Sequence, residues 1–530
     1  MKNAIKLTKV FLLVILTSTI FADPQTDLVN KRFGSYLDYM KAGQYDLASA
    51  RWLPEYVYEV YKFGIYYSNV PFKYDCNSYL ARHIQDYMKG EIEVTYSALP
   101  SMYEVYKILA RYKNKSDKNS QEIRDDYYLM RGDNADYFIA PQYWPLLKNI
   151  KVKEGEYFKL YYFKESQIND SALTHTDKII REIAAKLELS DDLLERLSLD
   201  KLNYFLCENA NQIAIYAGEY KPGWHDPAGN FIITNYLPHG TPIADFMIKY
   251  KLRELPFYAL PFMEKGLSVY LGGRAGASLD VFGQMAKFSL ESDFMKLEDI
   301  LSSNDFAEKT GGPDFSYTLS AYFMDYLVGQ FGIEKILSLY LKLSGDMAFV
   351  DSCSMDTIKD ILKDETGKSW SSLEKGFKEY FASMDFGLEL TDLAEGDIVY
   401  QTGTPKYSVT LFENGDDLIL DAQSIDKTSP VNAAFLLKEV VPGATGEYQS
   451  SLFEKHFPER EYDGQCFGMI LGPEEIGVYN YLTNNIEAKY ISSLANPGNP
   501  IDPAHITFKI PIKLLPGAFD RLTLEFIEIP

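Results

Sequence analysis

Residues 238–271 read PHGTPIADFMIKYKLRELPFYALPFMEKGLSVYL, and this stretch decides how the middle of the chain is interpreted. It contains two apolar segments, residues 244–252 and 262–271, and each predicts a helix. Pro242 and Pro261 stand near their starts, and Pro is favoured at the first position of a helix. The stretch therefore predicts two consecutive apolar helices, the first beginning at Pro242.

Strands and a further helix surround this pair. The runs 157–163, 202–207 and 231–237 have the apolar character of strands. Ile180, Ile183 and Leu187 mark one face of an amphipathic helix. Additional helices are predicted at residues 315–331, 333–343 and 370–384. The middle of the chain is thus expected to begin with strands and to end as an α-rich half.

These features resemble the gluzincin class of zinc peptidases over roughly residues 151–385. The resemblance rests on a strand and a Gly-containing loop before the first helix, on the segment 261–271, and on the later helix near residues 317–333. It implies a metallopeptidase fold with an HExxH motif and a third zinc ligand about twenty residues later. Glu264 lies 21 positions after Ile243 and would match that third ligand.

The first motif departs from the family pattern. The sequence has His239-Gly240-Thr241-Pro242-Ile243 in place of HExxH. A catalytic zinc needs three protein ligands and an open position for water, and the motif glutamate takes a proton from that water. Gly240 cannot take that proton, and Ile243 cannot ligate zinc. We therefore expect no catalytic residue and no cofactor, with His239 and Glu264 as possible remnants of a metal site.

Plainer interpretations of these two residues stay open. A single histidine in a loop is often a hydrogen-bonded structural residue. A carboxylate early in a helix, as Glu264 would be after Pro261, interacts favourably with the helix dipole. An active zinc metallopeptidase with substituted ligands is a further alternative, and it would need a replacement ligand from His225, Asp226 or Asp245.

The chain before residue 150 is expected to be a separate α+β domain. Residues 26–42 predict a helix, and the Tyr-rich runs 56–67, 92–96 and 137–140 read as strands. Helices followed by a curved antiparallel sheet resemble the cone-shaped fold of the nuclear transport factor two superfamily. That resemblance covers residues 23–150.

The chain changes character after residue 386. The runs 407–413 and 418–421 flank Asn414-Gly415, which predicts a hairpin because Asn-Gly accepts the positive φ angles of a tight turn. Short strands at 467–471, 505–511 and 522–529 continue the pattern. Residues 386–530 therefore predict a β-sandwich. A glycan-binding or adhesive cell-envelope protein acting through this sandwich is another alternative for the function.

Composition limits the class of protein. The chain has 530 residues, 46% of them hydrophobic and 24% charged, which is too apolar for a disordered protein. Lys2, Lys6 and Lys9 precede an apolar run and Ala22, which is the order found in a secretory signal peptide, so residues 1–22 are expected to be cleaved near Ala22. A formal charge of −22 argues against nucleic acid as a partner. No later run is long enough to span a membrane.

Together these patterns predict a multidomain α+β protein that is secreted, periplasmic or part of the cell envelope. Its domains would be 23–150, 151–385 and 386–530. Its expected function is to bind or scaffold a protein or peptide ligand, or a glycan, with a peptidase-like domain that has lost zinc catalysis. Four widely spaced cysteines leave the disulfide pairing open.

Overall fold

A computed structural model of the chain describes residues 24–439, 466–471, 476–481, 504–512 and 522–528, apart from short internal stretches. Those stretches are residues 103, 117–120, 133–134, 148–149, 166–167, 169, 218–222, 236, 275–278, 280–282, 284–285, 287–289, 291–295, 302–305, 307–312, 385–388 and 391–395. The predicted signal peptide lies outside the described residues. None of the helices in the described part combines the length and the apolar character that crossing a bilayer requires.

The helices of the described residues are α1 (Pro24–Lys41), α2 (Tyr45–Ser49), α3 (Pro54–Tyr61), α4 (Tyr79–Arg82), α5 (Ile84–Met88), α6 (Trp144–Leu147), α7 (Asp170–Lys186), α8 (Asp191–Asp200), α9 (Ala210–Ala217), α10 (Gly240–Leu252), α11 (Pro261–Gly272), α12 (Pro313–Phe331), α13 (Ile333–Lys342), α14 (Met347–Ser352), α15 (Met355–Thr366) and α16 (Trp370–Ala382). Short 3₁₀ helices span Lys73–Asp75 and Leu297–Leu301.

The strands are β1 (Tyr66–Tyr67), β2 (Ile92–Met102), β3 (Val105–Asn114), β4 (Ile123–Arg131), β5 (Tyr137–Ala140), β6 (Lys151–Glu154), β7 (Phe158–Tyr162), β8 (Leu202–Leu206), β9 (Gly223–Asp226), β10 (Phe231–Thr234), β11 (Glu254–Leu255), β12 (Tyr258–Ala259), β13 (Ser344–Gly345), β14 (Glu389–Leu390), β15 (Asp397–Gly403), β16 (Tyr407–Asn414), β17 (Asp417–Ser424), β18 (Ala433–Glu439), β19 (Cys466–Leu471), β20 (Ile476–Tyr481), β21 (His505–Pro511) and β22 (Leu522–Glu528).

The chain divides into two compact units. The first unit is formed by Met1–Phe63, Val70–Ile150 and Pro227–Gly229, and the second by Gly64–Asn69, Lys151–Asp226 and Asn230–Pro530. In the first unit an antiparallel sheet of order β2-β3-β4-β5 packs with α1. Helix α1 buries Val29, Phe33, Tyr36, Leu37 and Met40, which recur at helical spacing. The helix predicted at residues 26–42 is thus confirmed.

The strand predicted over residues 56–67 is wrong for most of its length. Pro54–Tyr61 is a helix with Pro at its first turn, and only Tyr66–Tyr67 is extended. The buried positions Tyr56 and Val60 are four residues apart, so they face the core from one side of a helix rather than of a strand. The high tyrosine content suggested β-structure, but the spacing of the buried residues indicates a helix.

The second unit contains a mixed sheet of order β6-β7-β8-β10-β9. Strands β7, β8 and β10 run parallel, and β6 and β9 pair antiparallel at the two edges. Every residue of β8 and of β10 is buried, as expected for central parallel strands covered on both faces. The three strands predicted in this region are confirmed, with slightly shorter ends.

Two consecutive helices follow the sheet, as the sequence predicted. Helix α10 begins at Gly240, two residues before the predicted start, and His239 is its N-cap residue. Helix α11 begins at Pro261 as expected. Helix α10 contacts α7, α11 and β9, and α11 contacts α12. The two helices therefore pack against each other and against neighbouring elements of the second unit.

Gly240 has a packing role. A Cβ atom on Gly240 would lie 1.8 Å from the carbonyl oxygen of Gly272, and one on Gly272 would lie 2.1 Å from the carbonyl oxygen of Gly240. The start of α10 and the end of α11 thus touch backbone to backbone, which only residues without a side chain permit. The absence of Glu at this position therefore has a structural reason in this chain.

The last part of the second unit is built from two antiparallel sheets, of order β14-β21-β17-β16-β15 and β20-β19-β18-β22. The predicted hairpin forms between β16 and β17. Its loop is Gly415-Asp416, one residue later than expected, because Asn414 still pairs with Asp417 and Gly415 has the positive φ of 64°. The mixed α+β class is confirmed. The three named domain folds and their boundaries stay predictions.

Candidate functional site

Helix α10 carries two opposite charges on one face. Asp245 and Lys249 are four residues apart, which places them one above the other on consecutive turns. Lys249 Nζ donates to Asp245 Oδ2 at 2.6 Å. The Lys249 and Asp245 side chains are only 9% and 14% exposed, so this ion pair lies largely out of solvent. The residues between them are buried and apolar, so both charges belong to the interior of the unit.

Strand β9 brings a histidine to the same carboxylate. His225 pairs with Ile232 of β10 in the sheet, and its ring turns toward α10. His225 Nδ1 lies 3.1 Å from Asp245 Oδ2. The ring packs edge to face against Phe246 at a centroid distance of 5.5 Å, and the side chain is 0% exposed. The Oδ2 atom of Asp245 thus connects the edge strand β9 to helix α10.

The hydrogen positions follow from the partners. An ionised carboxylate can only accept, so Nδ1 of His225 carries the proton and donates it to Asp245. Burial lowers the pKa of His225, with the hydrogen bond to Asp245 acting the other way, and the ring is neutral near pH 7. Two buried acceptor atoms, Nε2 of His225 and Oδ1 of Asp245, have no hydrogen-bond partner among the described residues.

A second ion pair lies on helix α11. Lys265 Nζ donates to Glu264 Oε1 at 2.6 Å, and these side chains are 37% and 24% exposed. The Asp245 carboxylate also acts on Lys265 electrostatically. We call His225, Asp245, Lys249, Glu264 and Lys265 the charged cluster. It has an inner half on β9 and α10 and a more exposed half on α11.

The electrostatics favour the charged forms of Asp245 and Lys265. Burial acts to raise the pKa of Asp245, but Lys249 and the His225 hydrogen bond outweigh it, so the pKa is lowered. Burial acts to lower the pKa of Lys265, but Glu264 and Asp245 outweigh it, so the pKa is raised. Tyr340 of α13 stands close enough for Glu264 and Asp245 to raise its pKa further beyond the effect of burial. The formal charges of the two carboxylates and two ammonium groups cancel.

His239, the first proposed metal remnant, has different neighbours. Its Nδ1 lies 3.1 Å from Thr234 Oγ1, and its backbone N–H donates to the Tyr204 hydroxyl at 3.0 Å. Burial, with Arg274 nearby, lowers the pKa of His239 to about 3, so the ring is neutral. A Cβ atom on Gly223 would lie 2.2 Å from the His239 ring nitrogen. His239 is therefore packed tightly at the end of the sheet.

Glu264, the second proposed remnant, bonds to a lysine rather than to a group that His239 contacts. It lies in the first turn of α11, where the plainer interpretation placed it, and its partner is the ammonium group of Lys265. Of the alternative ligands, His225 and Asp245 meet each other. Within the described residues no group of three or more His, Cys, Asp or Glu side chains is arranged to hold a metal ion.

In the charged cluster the Lys249 ammonium group bonds to Asp245, four residues away on helix α10. Lys265 of the neighbouring helix α11 is a second ammonium group within the electrostatic reach of the same carboxylate. An ammonium nitrogen has three donors and no lone pair, so it cannot ligate a metal. It does supply positive charge to Asp245, as a cation would. The cluster can therefore hold Asp245 ionised and orient His225 without a bound metal.

Sequence reasoning missed Lys249 and Lys265. A signal for Lys249 was present, because Asp245 and Lys249 are the pair at (i, i+4) in the otherwise apolar run ADFMIK. The contact between His225 and Asp245 had no local signal, because it depends on how β9 packs against α10. Lys265 follows Glu264 directly, and only the structure shows that the two side chains meet.

The glycan-binding prediction required a row of exposed aromatic rings on the sandwich. On the five-stranded sheet Asp421 stands between Thr410 and Thr507 on neighbouring strands. Asp421 Oδ1 lies 2.7 Å from His505 Nε2 and accepts from Thr507 Oγ1 at 2.9 Å. Thr410 and Thr507 are buried, so this row is not an exposed face of the sheet, and the glycan-binding alternative stays a prediction.

No protein-family model matches the chain, and no significant match is found among curated proteins or solved structures.

Proposed function

We propose that the chain is an exported multidomain protein with a gluzincin-like peptidase fold in its second unit, that this fold has lost zinc-dependent catalysis, and that the protein acts by binding a protein or peptide. The order of elements supports the fold assignment. A mixed sheet with an antiparallel edge strand is followed by two helices, α10 and α11, that pack against each other. This is the order that the sequence resemblance implied.

The ion pair of Asp245 and Lys249 carries the proposal. A zinc-binding helix presents two ligands four residues apart on one face. Helix α10 has Ile243 at the second motif position, and its polar pair four residues apart, Asp245 and Lys249, is a carboxylate and an ammonium group bonded to each other at 2.6 Å. An ammonium group about 4 Å from a divalent cation would cost roughly 8 kcal/mol at an effective dielectric constant of about 20. Zinc is therefore disfavoured by charge as well as by the missing ligand.

The second ion pair supports the same conclusion. Glu264 matched the third zinc ligand in the sequence, yet its carboxylate is bonded to Lys265, and Asp245 acts on the same ammonium group. Glu264, at the third ligand position, and Asp245, a possible replacement ligand, are thus each compensated by a lysine. The alternative of an active zinc metallopeptidase needs both lysines to move away from these carboxylates.

The test measures binding and cleavage together. The full chain is purified with zinc in the buffers and mixed with an unfolded casein-derived peptide pool carrying a fluorophore. We expect saturable binding by fluorescence anisotropy, with no peptide cleavage by mass spectrometry. Cleavage that a metal chelator abolishes would overturn the loss of catalysis, and failure to bind any peptide in the pool would count against the binding role.

A further inference from the structure

The first unit contains a buried carboxyl group surrounded by hydroxyl groups. Asp75 ends the 3₁₀ helix Lys73–Asp75 and is 6% exposed. The Tyr36 hydroxyl donates to Asp75 Oδ2 at 2.5 Å, and the Tyr127 hydroxyl donates to the same oxygen at 2.9 Å. The Ser78 hydroxyl is near enough to favour the charged form of this carboxyl. Two neutral phenol hydroxyls therefore donate to one oxygen of this carboxyl group.

The network joins three elements of the first unit. Tyr36 lies on α1, Tyr127 on β4 and Tyr112 on β3, and the Tyr112 hydroxyl donates to that of Tyr127 at 3.1 Å. All three rings are almost completely buried. The Tyr36 and Tyr127 rings also lie 6.3 Å apart, centroid to centroid. Asp75 is thus at the point where α1 meets the sheet.

Charged groups near Asp75 do not neutralise it. Asp125 of β4 is a second carboxyl facing the network, and it accepts from the Tyr79 backbone N–H at 2.7 Å. Arg82 acts on Asp125. Lys73, on the same 3₁₀ helix as Asp75, donates to the Val60 carbonyl at 2.6 Å. A negative charge on Asp75 would therefore be buried beside another carboxyl group, and the side-chain donors that contact it among the described residues are neutral hydroxyls, which is unfavourable.

We propose that the Asp75 network is a pH-sensitive switch in the first unit. With Asp75 protonated, the network holds α1 against β3 and β4. Ionisation of Asp75 puts an uncompensated charge in the core, and the contact between α1 and the sheet loosens. The switch concerns the first unit and does not depend on the function proposed for the charged cluster.

The direction of the pH effect follows from proton binding. Burial raises the pKa of Asp75 from 3.8 to about 7, against the hydrogen bonds from Tyr36 and Tyr127, and Asp125 adds to the increase. The folded unit therefore binds a proton that the unfolded chain has already lost. Its contribution to stability is complete below about pH 4 and is lost as the pH rises to about 7. The full difference corresponds to roughly a thousand-fold change in the opening equilibrium.

Native-state hydrogen exchange of the full chain tests the switch. Protection factors of α1 and β4 peptides are measured between pH 4.5 and 7.5 after correction for intrinsic exchange. We expect them to fall by roughly a hundred-fold across this range in the wild type. The variant Asp75→Asn cannot ionise, so its profile should be flat. The control is Asp38→Asn, which removes an exposed carboxylate from the same helix α1 and should leave the wild-type fall intact.

A second variant keeps the test decisive if Asp75→Asn does not fold. Asp125→Asn removes the neighbouring carboxyl, so Asp75 should ionise more easily and the fall should end at lower pH. A wild-type profile with no fall would overturn the proposal. So would a fall of unchanged size in Asp75→Asn, or one that Asp38→Asn abolishes.

Discussion

Lys249 Nζ lies 2.6 Å from Asp245 Oδ2, one turn away on the same face of helix α10. The oxygen that receives this ammonium group also faces Nδ1 of His225 on the edge strand. One carboxylate therefore links the sheet to the helix, and a lysine balances its charge. The pairing supports the proposed loss of zinc catalysis, because it compensates Asp245, one of the replacement ligands that an active zinc peptidase could use.

Replacing Lys249 by Met should strongly destabilise the second unit. The substitution keeps the length of the side chain but leaves the buried Asp245 carboxylate without its ammonium partner, which typically costs about 3–5 kcal/mol. Hydrogen exchange of α10 amides measures the loss. The matched control is Lys251→Met on the same helix, where the ion pair to Glu334 is more exposed and should contribute less than about 1 kcal/mol.

The double variant Asp245→Leu/Lys249→Met separates charge from packing. Removing both charges should restore much of the stability lost in Lys249→Met, because no uncompensated carboxylate remains. Equal losses in Lys249→Met and Lys251→Met would contradict a buried role for the first ion pair.

Gly240→Ala should separate the start of α10 from the end of α11. The new Cβ atom would lie 1.8 Å from the Gly272 carbonyl oxygen, so one of the two helices must shift. We expect a loss of roughly 2 kcal/mol or more, as for an overpacked core. Gly329→Ala in α12 is the control, because that position is exposed with nothing within 4 Å of the added atom. There alanine should stabilise the helix by about 0.5–1 kcal/mol. Similar effects of the two variants would rule out the close approach.

The second unit should lose stability as the pH falls, whereas the first unit should lose stability as the pH rises. Burial lowers the pKa of His239 from 6.5 to about 3, so the unfolded chain binds a proton that the folded unit does not. His225 acts in the same direction. Stability present above about pH 6.5 is therefore lost as the pH falls toward 3.

His239→Gln tests this acid sensitivity. The variant should be less stable than the wild type at pH 7.5, because the hydrogen bond between Thr234 and the His239 ring is lost, and its stability should change less between pH 6.5 and 4. Hydrogen exchange of β8 and β10 amides follows both effects. A pH profile parallel to that of the wild type would contradict the assignment of the acid sensitivity to His239.

Tyr36→Phe should move the pH response of the first unit upward. The Tyr36 hydroxyl donates to the Asp75 carboxyl at 2.5 Å and favours its ionised form, so its removal should raise the pKa of Asp75 further. Protection of α1 amides should then fall at higher pH than in the wild type. Tyr137→Phe is the control, because that hydroxyl is bonded to the neutral Gln25 side chain and should leave the midpoint unchanged. A midpoint that moves to lower pH in Tyr36→Phe would be inconsistent with the hydrogen bond.

The sequence predicted those helices and strands whose apolar residues follow a clear pattern along the chain. It did not predict contacts between residues that lie far apart in the sequence. Helix α11 was recognisable from Pro261 and the apolar residues that follow, and β8 from an unbroken apolar run. The run 56–67 was misassigned because its tyrosines suggested strands, although Tyr56 and Val60 are spaced for a helix. Tertiary packing decides such short segments more than composition does.

The candidate site shows the same limit. Asp245 and Lys249 are visible in the sequence as a charged pair four apart, but their burial depends on α10 packing between β9 and the neighbouring helices. The partnership of His225 with Asp245 joins residues on different elements. From the sequence, Gly240 was interpreted as the position of a lost catalytic glutamate. The structure shows a packing reason for glycine there, because its contact with Gly272 leaves no room for a side chain.

Zinc content is the most direct test of the proposed loss of the metal site. The full chain is purified with zinc present, dialysed, and analysed for metal per chain, and its thermal unfolding is recorded with zinc and with a chelator. Because lysine ammonium groups occupy the positions beside Asp245 and Glu264, we predict far less than one zinc per chain and a melting temperature that neither treatment changes. One zinc per chain, lost to the chelator together with a clear fall in the melting temperature, would contradict that loss.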